Sequence, residues 1–171
     1  MDARDIYFAG GCFWGTEAYL RKLPGVIDTE VGYANSAVTY PTYEQVCSNQ
    51  TNAAETVRVR YDADRLRLST LVQAYLRTVN PTSINHQGND IGSQYRTGIY
   101  WVSAADERVV QEALAALQEK LPMPVAIEAR PLENFFEAEE PHQDYLVKHP
   151  RGYCHVDLAD ADVFIAENQL K

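Results

Sequence analysis

The first third of the chain switches between short apolar runs and helical spacing. Ile6, Tyr7, Phe8 and Ala9 form an apolar run of strand length, bounded by charged residues before it and Gly10-Gly11 after it. Thr16 to Leu23 is amphipathic and reads as a helix that Pro24-Gly25 ends. Val26 to Tyr33 is enriched in β-branched residues and reads as a second strand. Val57, Val59 and Tyr61 alternate with Arg58, Arg60 and Asp62, the period-two pattern of a half-buried strand. Leu68, Leu71, Val72, Tyr75, Leu76 and Val79 recur at helical spacing, and Asn80-Pro81 sets the end of that helix. Ile99 to Val102 predicts a strand, and Ser103 caps a helix running to about Lys120. Val125 to Ala129 predicts a further strand. A short helical piece spans about Glu139 to Lys148, ahead of irregular chain.

The order is β-α-β-β-α-β followed by α-β. Its first six elements have the split βαβ order of a ferredoxin-like two-layer sandwich, with helices on one face of a mixed sheet. The expected class is therefore α+β. We expect one domain over residues 1–171, with a core over about 5–131 and an irregular C-terminal tail over about 132–171 that carries Cys154. Ala34 to Ala53 and Thr82 to Thr97 follow neither period. Long aperiodic loops inside a compact domain commonly carry function.

A length of 171 residues suits one domain with a sizeable core. Fifteen Lys and Arg against 24 Asp and Glu give a net charge of −9 with no basic cluster, so no nucleic-acid partner is expected. The acidic run Glu133 to Glu140 reads as a solvated face. No stretch approaches the roughly 18 apolar residues of a membrane helix, and the N-terminus resembles no signal or transit peptide. A cytoplasmic monomer without a membrane partner is expected. Three cysteines are too few for a disulfide scaffold. In a reducing compartment a pair among them would be catalytic or redox-sensing. His86, His142, His149 and His155 are scattered and no Cys-x-x-Cys occurs, so no metal is expected. No phosphate-binding glycine motif follows a strand, so no cofactor is expected.

The most informative stretch is Gly10-Gly11-Cys12-Phe13-Trp14-Gly15, between the first strand and the first helix. Two glycines permit a sharp turn there. Cys12 then falls at the helix start, where free N–H groups and the helix dipole favour an anion. A lowered thiol pKa is expected in that setting. The competing reading is a buried, inert cysteine. Phe13 and Trp14 cannot both face one core stripe, so one of them should line the open side of Cys12. Cys154 lies in a tail without strong pattern and reads as a mobile, exposed thiol with an ordinary pKa, able to reach Cys12. Cys47 reads as a semi-buried free thiol. Pairings of Cys12 with Cys47 and of Cys47 with Cys154 stay open, because spacing does not fix connectivity.

The hexapeptide resembles the active-site signature of the type A peptide methionine sulfoxide reductases. Four further stretches match that family in order: Pro41 to Cys47, Ala54-Glu55-Thr56-Val57 with Tyr61-Asp62, Asn85 to Arg96, and His142 to Leu146 with Gly152 to His155. The resemblance implies a ferredoxin-like fold and reduction of methionine S-sulfoxide, free or in peptides. It implies Cys12 as nucleophile, Glu55 as proton donor, and Tyr43 and Tyr95 as hydrogen-bond donors to the sulfoxide oxygen. It implies Phe13 and Trp14 as the pocket for the substrate's methyl group, with Asp90 and His142 in substrate binding. Cys154 would resolve the Cys12 sulfenic acid, and thioredoxin or a similar dithiol would reduce the disulfide.

Sulfoxide chemistry has its own demand here. The oxygen leaves sulfur poorly unless protonated, and a carboxyl in an apolar pocket keeps its proton because desolvation raises its pKa. The chain departs from the family at Asn52-Ala53, where many members have Gly-His, and it has a single tail cysteine. Two other functions fit parts of the pattern. One is a cysteine hydrolase or acyltransferase with His142 as base. The other is a binding module for oxidised or thioether-bearing peptides.

Overall fold

The computed structural model describes all 171 residues. In chain order the elements are β1 (Ala3–Ala9), α1 (Phe13–Arg21), β2 (Val26–Ala34), α2 (Tyr43–Cys47), β3 (Ala54–Asp62), α3 (Leu68–Leu76), β4 (His86–Gln87), β5 (Asp90–Ile91), β6 (Gly98–Trp101), α4 (Ala104–Glu119), β7 (Glu128–Pro131), β8 (Phe135–Glu137), α5 (Tyr145–Lys148) and α6 (Ala159–Glu167). Short 3-10 turns cover Ser93–Tyr95 and Glu140–His142.

One six-stranded sheet runs in the order β7-β6-β1-β3-β2-β8. The inner four strands are antiparallel neighbours, and only β6 and β7 pair in parallel. This is the ferredoxin-like arrangement expected from the element order, extended by one strand at each edge. Strand alternation sorts the side chains. Ile6 and Phe8 of β1, with Val57, Val59 and Tyr61 of β3, join the large core under the helices. Tyr7 and Ala9 point to the opposite face, where Leu132 and Phe135 cover a smaller cluster with Ala34, Ala54 and Tyr100. Phe8 stacks on Tyr75 of α3, with ring centroids 4.8 Å apart.

Several boundaries differ from the sequence expectation. Strand β1 begins at Ala3, because its polar first residues pair with Tyr61 and Asp62 while remaining largely exposed. The strand expected over Val125 to Ala129 forms at Glu128–Pro131 instead. Ala126 N–H is taken by Pro81 O at 2.7 Å, and pairing with β6 starts only at Glu128. The acidic run 133–140 is not a plain solvated face. It contains the edge strand β8, which pairs with β2, and Phe135 meets the Tyr7 ring edge-on at 5.1 Å. The tail is also more ordered than expected. Helix α6 places Phe164 in the core, and its Asp160 accepts from Tyr19 Oη at 2.7 Å and pairs with Arg77.

Antiparallel pairing places the functional end of the sheet. Ala9 faces Thr56 on one side and Gly98 on the other, so the end of β1 meets the starts of β3 and β6. Tyr75 Oη fastens this junction: it donates to Ala9 O and accepts from Gly98 N–H at 3.2 Å, fully buried. Tyr75→Phe would leave a buried carbonyl and a buried N–H without that partner. We expect a loss of about 1–3 kcal/mol in unfolding free energy. For a domain of this size that lowers Tm by roughly 2–4 °C per kcal/mol, readable by calorimetry; an unchanged Tm would show that the phenol does not hold the junction.

Candidate active site

The turn after β1 is shaped by its glycines. Gly11 adopts φ +79°, a conformation open to residues without Cβ, and its N–H bonds Tyr95 O at 3.2 Å. The chain then enters α1 with Cys12 as an extended N-cap. Cys12 is buried. Glu55, second residue of β3, is 1% exposed and accepts from Phe13 N–H through Oε1 at 3.3 Å. Its other oxygen is buried with no partner.

The charges in this corner oppose one another. Burial pushes the Glu55 carboxyl up to about 8, against the hydrogen bond from Phe13 N–H and the lowering effect of the Gln94 side chain. Burial and then the Glu55 charge push the Cys12 thiol well above its ordinary value, while the Trp14 N–H at the helix start acts the other way. The expected lowering of the Cys12 pKa is therefore overturned. Helix-end stabilisation is outweighed by desolvation and a nearby carboxylate. At neutral pH the site holds a protonated thiol beside a protonated acid.

Two phenols share the site. Tyr43 opens α2, whose start is set by a capping box: Thr42 Oγ1 accepts from Gln45 N–H at 3.2 Å, and Gln45 Oε1 accepts from Thr42 N–H at 2.9 Å. Tyr95 closes a 3-10 turn that Arg96 anchors, with Nε on Glu128 at 2.7 Å and Nη2 on Asn52 O at 2.9 Å. Burial, then Glu55, raise both phenol pKa values, so both stay protonated donors. At the Asn52-Ala53 departure, Asn52 takes the left-handed φ of +56° and its backbone carbonyl accepts from Arg96, while Ala53 is buried with no side chain to replace the histidine.

Aromatic rings form the wall. Phe13 is buried and Trp14 half-exposed, so the two neighbours do face different ways. Trp14 stacks on Tyr145 at 3.7 Å, and His142 lies 4.4 Å from Tyr43 and 5.7 Å from Phe13, centroid to centroid. Trp14 Nε1–H donates to His142 Nδ1 at 3.3 Å. That nitrogen therefore carries a lone pair, and burial lowers the imidazole pKa. His142 is occupied with the ring cluster, which argues against its use as the base of a Cys12 hydrolase. Asp90 accepts from Tyr153 Oη at 3.0 Å, and its charge reaches Cys12, Glu55 and Tyr95.

The structure thus brings Cys12, Phe13, Trp14, Tyr43, Glu55, Asp90, Tyr95 and His142 to one end of the sheet. Cys154 also comes to this end, unpaired and packed on α1, half-buried rather than exposed. A Cβ at Gly15 would stand 3.1 Å from its Sγ, which donates to Val156 O at 3.1 Å. Burial raises its thiol pKa, contrary to the expected ordinary value. Cys47 was expected to be semi-buried but is exposed. It lies beside Tyr43 and Tyr95 and accepts from Gln94 Nε2 at 3.4 Å. Two contributors escaped the sequence reading. Gln94 is a buried neighbour of Tyr95 whose side chain opposes the rise in the Glu55 pKa. Glu139 accepts from Tyr33 Oη and from Tyr43 N–H, each at 3.3 Å. Gln94 had a signal, its place in the aperiodic loop; Glu139 was hidden in an acidic run.

Comparison with known proteins gives a consistent result. A family model described as peptide methionine sulfoxide reductase matches residues 4–171. The peptide methionine sulfoxide reductase MsrA of Mycoplasma pneumoniae is 53% identical over 153 residues, covering 90% of this chain and 98% of the relative. The crystal structure of reduced Mxr1 from Saccharomyces cerevisiae superposes with a TM-score of 0.85 at 37% identity, covering 90% of this chain and 89% of Mxr1. A structure of Mxr1 in complex with Trx2 gives a TM-score of 0.61 at 27% identity, covering 84% of this chain and 85% of that one.

The Glu55 proton has a consequence for stability. In the unfolded chain it leaves near 4.5, in the folded protein at about 8. Between those values the native state binds more protons, so unfolding free energy falls as pH rises from about 4.5 to 8 and levels off above. Glu17, raised to about 7 by burial, adds to the same slope. Denaturant melts at several pH values in this range should show a flatter slope for Glu55→Gln than for wild type. Equal slopes would mean that Glu55 ionises like a free carboxyl.

Proposed function

This chain belongs to the peptide methionine sulfoxide reductase family, and we propose from that premise how its own residues reduce methionine sulfoxide. The observation that carries the reading is the buried Glu55 carboxyl, protonated at neutral pH, beside the Cys12 thiol. The substrate's methyl group sits against Phe13 and Trp14. Tyr43 and Tyr95 donate hydrogen bonds to the sulfoxide oxygen. Cys12 Sγ attacks the sulfoxide sulfur as Glu55 protonates that oxygen, and the thiol proton returns to Glu55. Oxygen passes from the substrate to Cys12, methionine leaves, and Cys12 becomes a sulfenic acid. Asp90 and His142 hold the edges of the site through Tyr153 and Trp14.

Cys154 then attacks the sulfenic sulfur, giving a Cys12–Cys154 disulfide and water. A thioredoxin-type dithiol reduces that disulfide; the complex of Mxr1 with Trx2 supports this kind of partner. The S epimer, in peptides or as the free amino acid, is the substrate. Residues 1–171 act as one reductase domain, a monomer in the cytoplasm. Three unpaired thiols support a reducing compartment, and no helix is long and apolar enough to cross a membrane.

Cys12→Ser should abolish methionine sulfoxide reduction with dithiothreitol; appreciable turnover would remove the nucleophile from this reading. Glu55→Gln should slow the reductive step about a hundredfold. In the wild type that step should fall as pH rises through about 8, because the acid must hold its proton. Single-turnover rates across pH 6–10 check both statements, and a native rate in Glu55→Gln would place the proton donor elsewhere.

Cys154→Ser should retain one turnover per enzyme yet lose most thioredoxin-supported cycling, while a small dithiol still reduces the sulfenic acid. Cys47→Ser should keep both. Peptide mapping after one turnover without reductant reads the pairing directly. A Cys12–Cys47 bridge in the wild type would transfer the resolving role to Cys47.

A further inference from the structure

His155 follows Cys154, and the mechanism above does not use it. Its ring lies over the turn that carries Cys12: Nε2 is 3.0 Å from Gly10 O, and a Cβ at Gly11 would stand 2.7 Å from that nitrogen. A carbonyl oxygen can only accept, so Nε2 carries the proton and Nδ1 the lone pair. Nδ1 is buried and has no hydrogen-bond partner. It lies 3.2 Å from the position a Gly15 Cβ would take, and Cys154 Sγ lies 3.1 Å from the same position. Both atoms look into one small space over the backbone of α1, open because residue 15 has no side chain.

We propose that His155 is the general base of the resolving step, taking the Cys154 proton on Nδ1 while its Nε2–H bond to Gly10 O holds the Cys154 loop over the Cys12 turn. The proposal rests on the reading that Cys154 resolves the Cys12 sulfenic acid. At rest the Cys154 thiol donates to Val156 O, so the step begins with rotation of that side chain toward Nδ1. The thiolate then attacks Cys12 Sγ. The S–S bond forms as the S–O bond breaks, and oxygen leaves with the bonding pair. The proton returns from the His155 imidazolium, and water departs. A sulfenic acid and a thiol have become a disulfide and water, with no outside oxidant or reductant.

A base is needed because burial and Asp157 raise the Cys154 pKa, leaving little thiolate at neutral pH. The imidazole is available because burial lowers its own pKa, so it is neutral at pH 7. Asp90, held by Tyr153 Oη, is the carboxylate acting on the ring, and it supports the imidazolium once formed. The other titratable groups on the segments packed around it are the thiols of Cys12 and Cys154, the Tyr153 phenol, Asp157, and on α1 Glu17, Tyr19 and Arg21, of which Glu17 bonds Thr29 and Asp144 N–H, Tyr19 bonds Asp160 and Arg21 bonds Asp144. His86, on the strand that supplies Gln87 to this packing, is exposed.

The test follows disulfide formation by rapid quench and mass spectrometry after one equivalent of methionine sulfoxide, without reductant. The methionine burst in the same samples reports sulfenic acid formation separately. Three variants are compared with wild type from pH 5.5 to 9.5. His155→Gln keeps an N–H for Gly10 O but offers no base at the Nδ1 position; His155→Ala loses both; Cys154→Ser removes the thiol. Wild type should rise with pH and level off below neutrality as the imidazole becomes neutral. His155→Gln should be slowed about a hundredfold at pH 7 and should climb about tenfold per pH unit instead of levelling. His155→Ala should be at least as slow, with the same climbing profile. A His155→Gln variant with the wild-type rate, or slowed but with the wild-type profile, would overturn the base while the Cys154 reading stands. Disulfide formed at the wild-type rate in Cys154→Ser would instead overturn that reading.

Discussion

A carboxyl group almost without solvent, with one oxygen lacking any partner, is tolerable inside a protein only while it holds its proton. Glu55 is in that position, and the architecture around it maintains the condition. Strand β3 is interior to the sheet, and Glu55 pairs with Tyr33 of β2 one position before the β1 pairing begins at Thr56. Phe13 closes the space from the helix side, and its N–H satisfies the single bonded oxygen. The acid strength of the site is thus a property of the packing that buries Glu55 at this end of the sheet.

The protonated acid also explains why a protonated nucleophile is workable. A charged Glu55 would make thiolate formation at Cys12 harder still, since each charge opposes the other. With both groups neutral at rest, the site avoids two adjacent anions and presents little thiolate to unselective oxidants. In the proposed reaction, a sulfoxide oxygen entering between the phenols accepts the Glu55 proton as sulfur accepts the Cys12 electron pair. The thiol proton then refills Glu55. No step requires a free thiolate and an ionised carboxylate side by side, the arrangement that burial penalises most.

How much of this was legible in the sequence depended on whether a feature was local. The strand-Gly-Gly-Cys-helix junction was readable because turn, cap and period change lie within six residues. The alternation at 57–62 marked β3 correctly, since one of its faces meets the core. The Cys12 pKa was misread because helix-end chemistry is local whereas burial and the approach of Glu55, 43 positions later, are tertiary. Strand β8 was hidden because Phe135 and Phe136 sit among acidic residues, and only their pairing with β2 reveals a strand. Cys154 looked exposed for the same reason: what covers it is contact with α1 at the other end of the chain.

That last contact gives the glycines of the first motif a second meaning. A side chain at Gly10 would meet Val79 Cγ1 at 2.4 Å, one at Gly11 the His155 ring, and one at Gly15 the Cys154 sulfur. Each missing Cβ admits a different piece of chain, one from beyond α3 and two from the Cys154 segment. The motif that carries Cys12 is therefore also the socket for the segment that carries Cys154. A Cβ at position 15 would require Cys154, His155 and Val156 to give by a few tenths of an ångström. Cys12 and Cys154, 142 positions apart in the sequence, are brought together where Gly11 and Gly15 leave room for the Cys154 segment, and loop closure between them costs the folded protein little because folding has already ordered both ends.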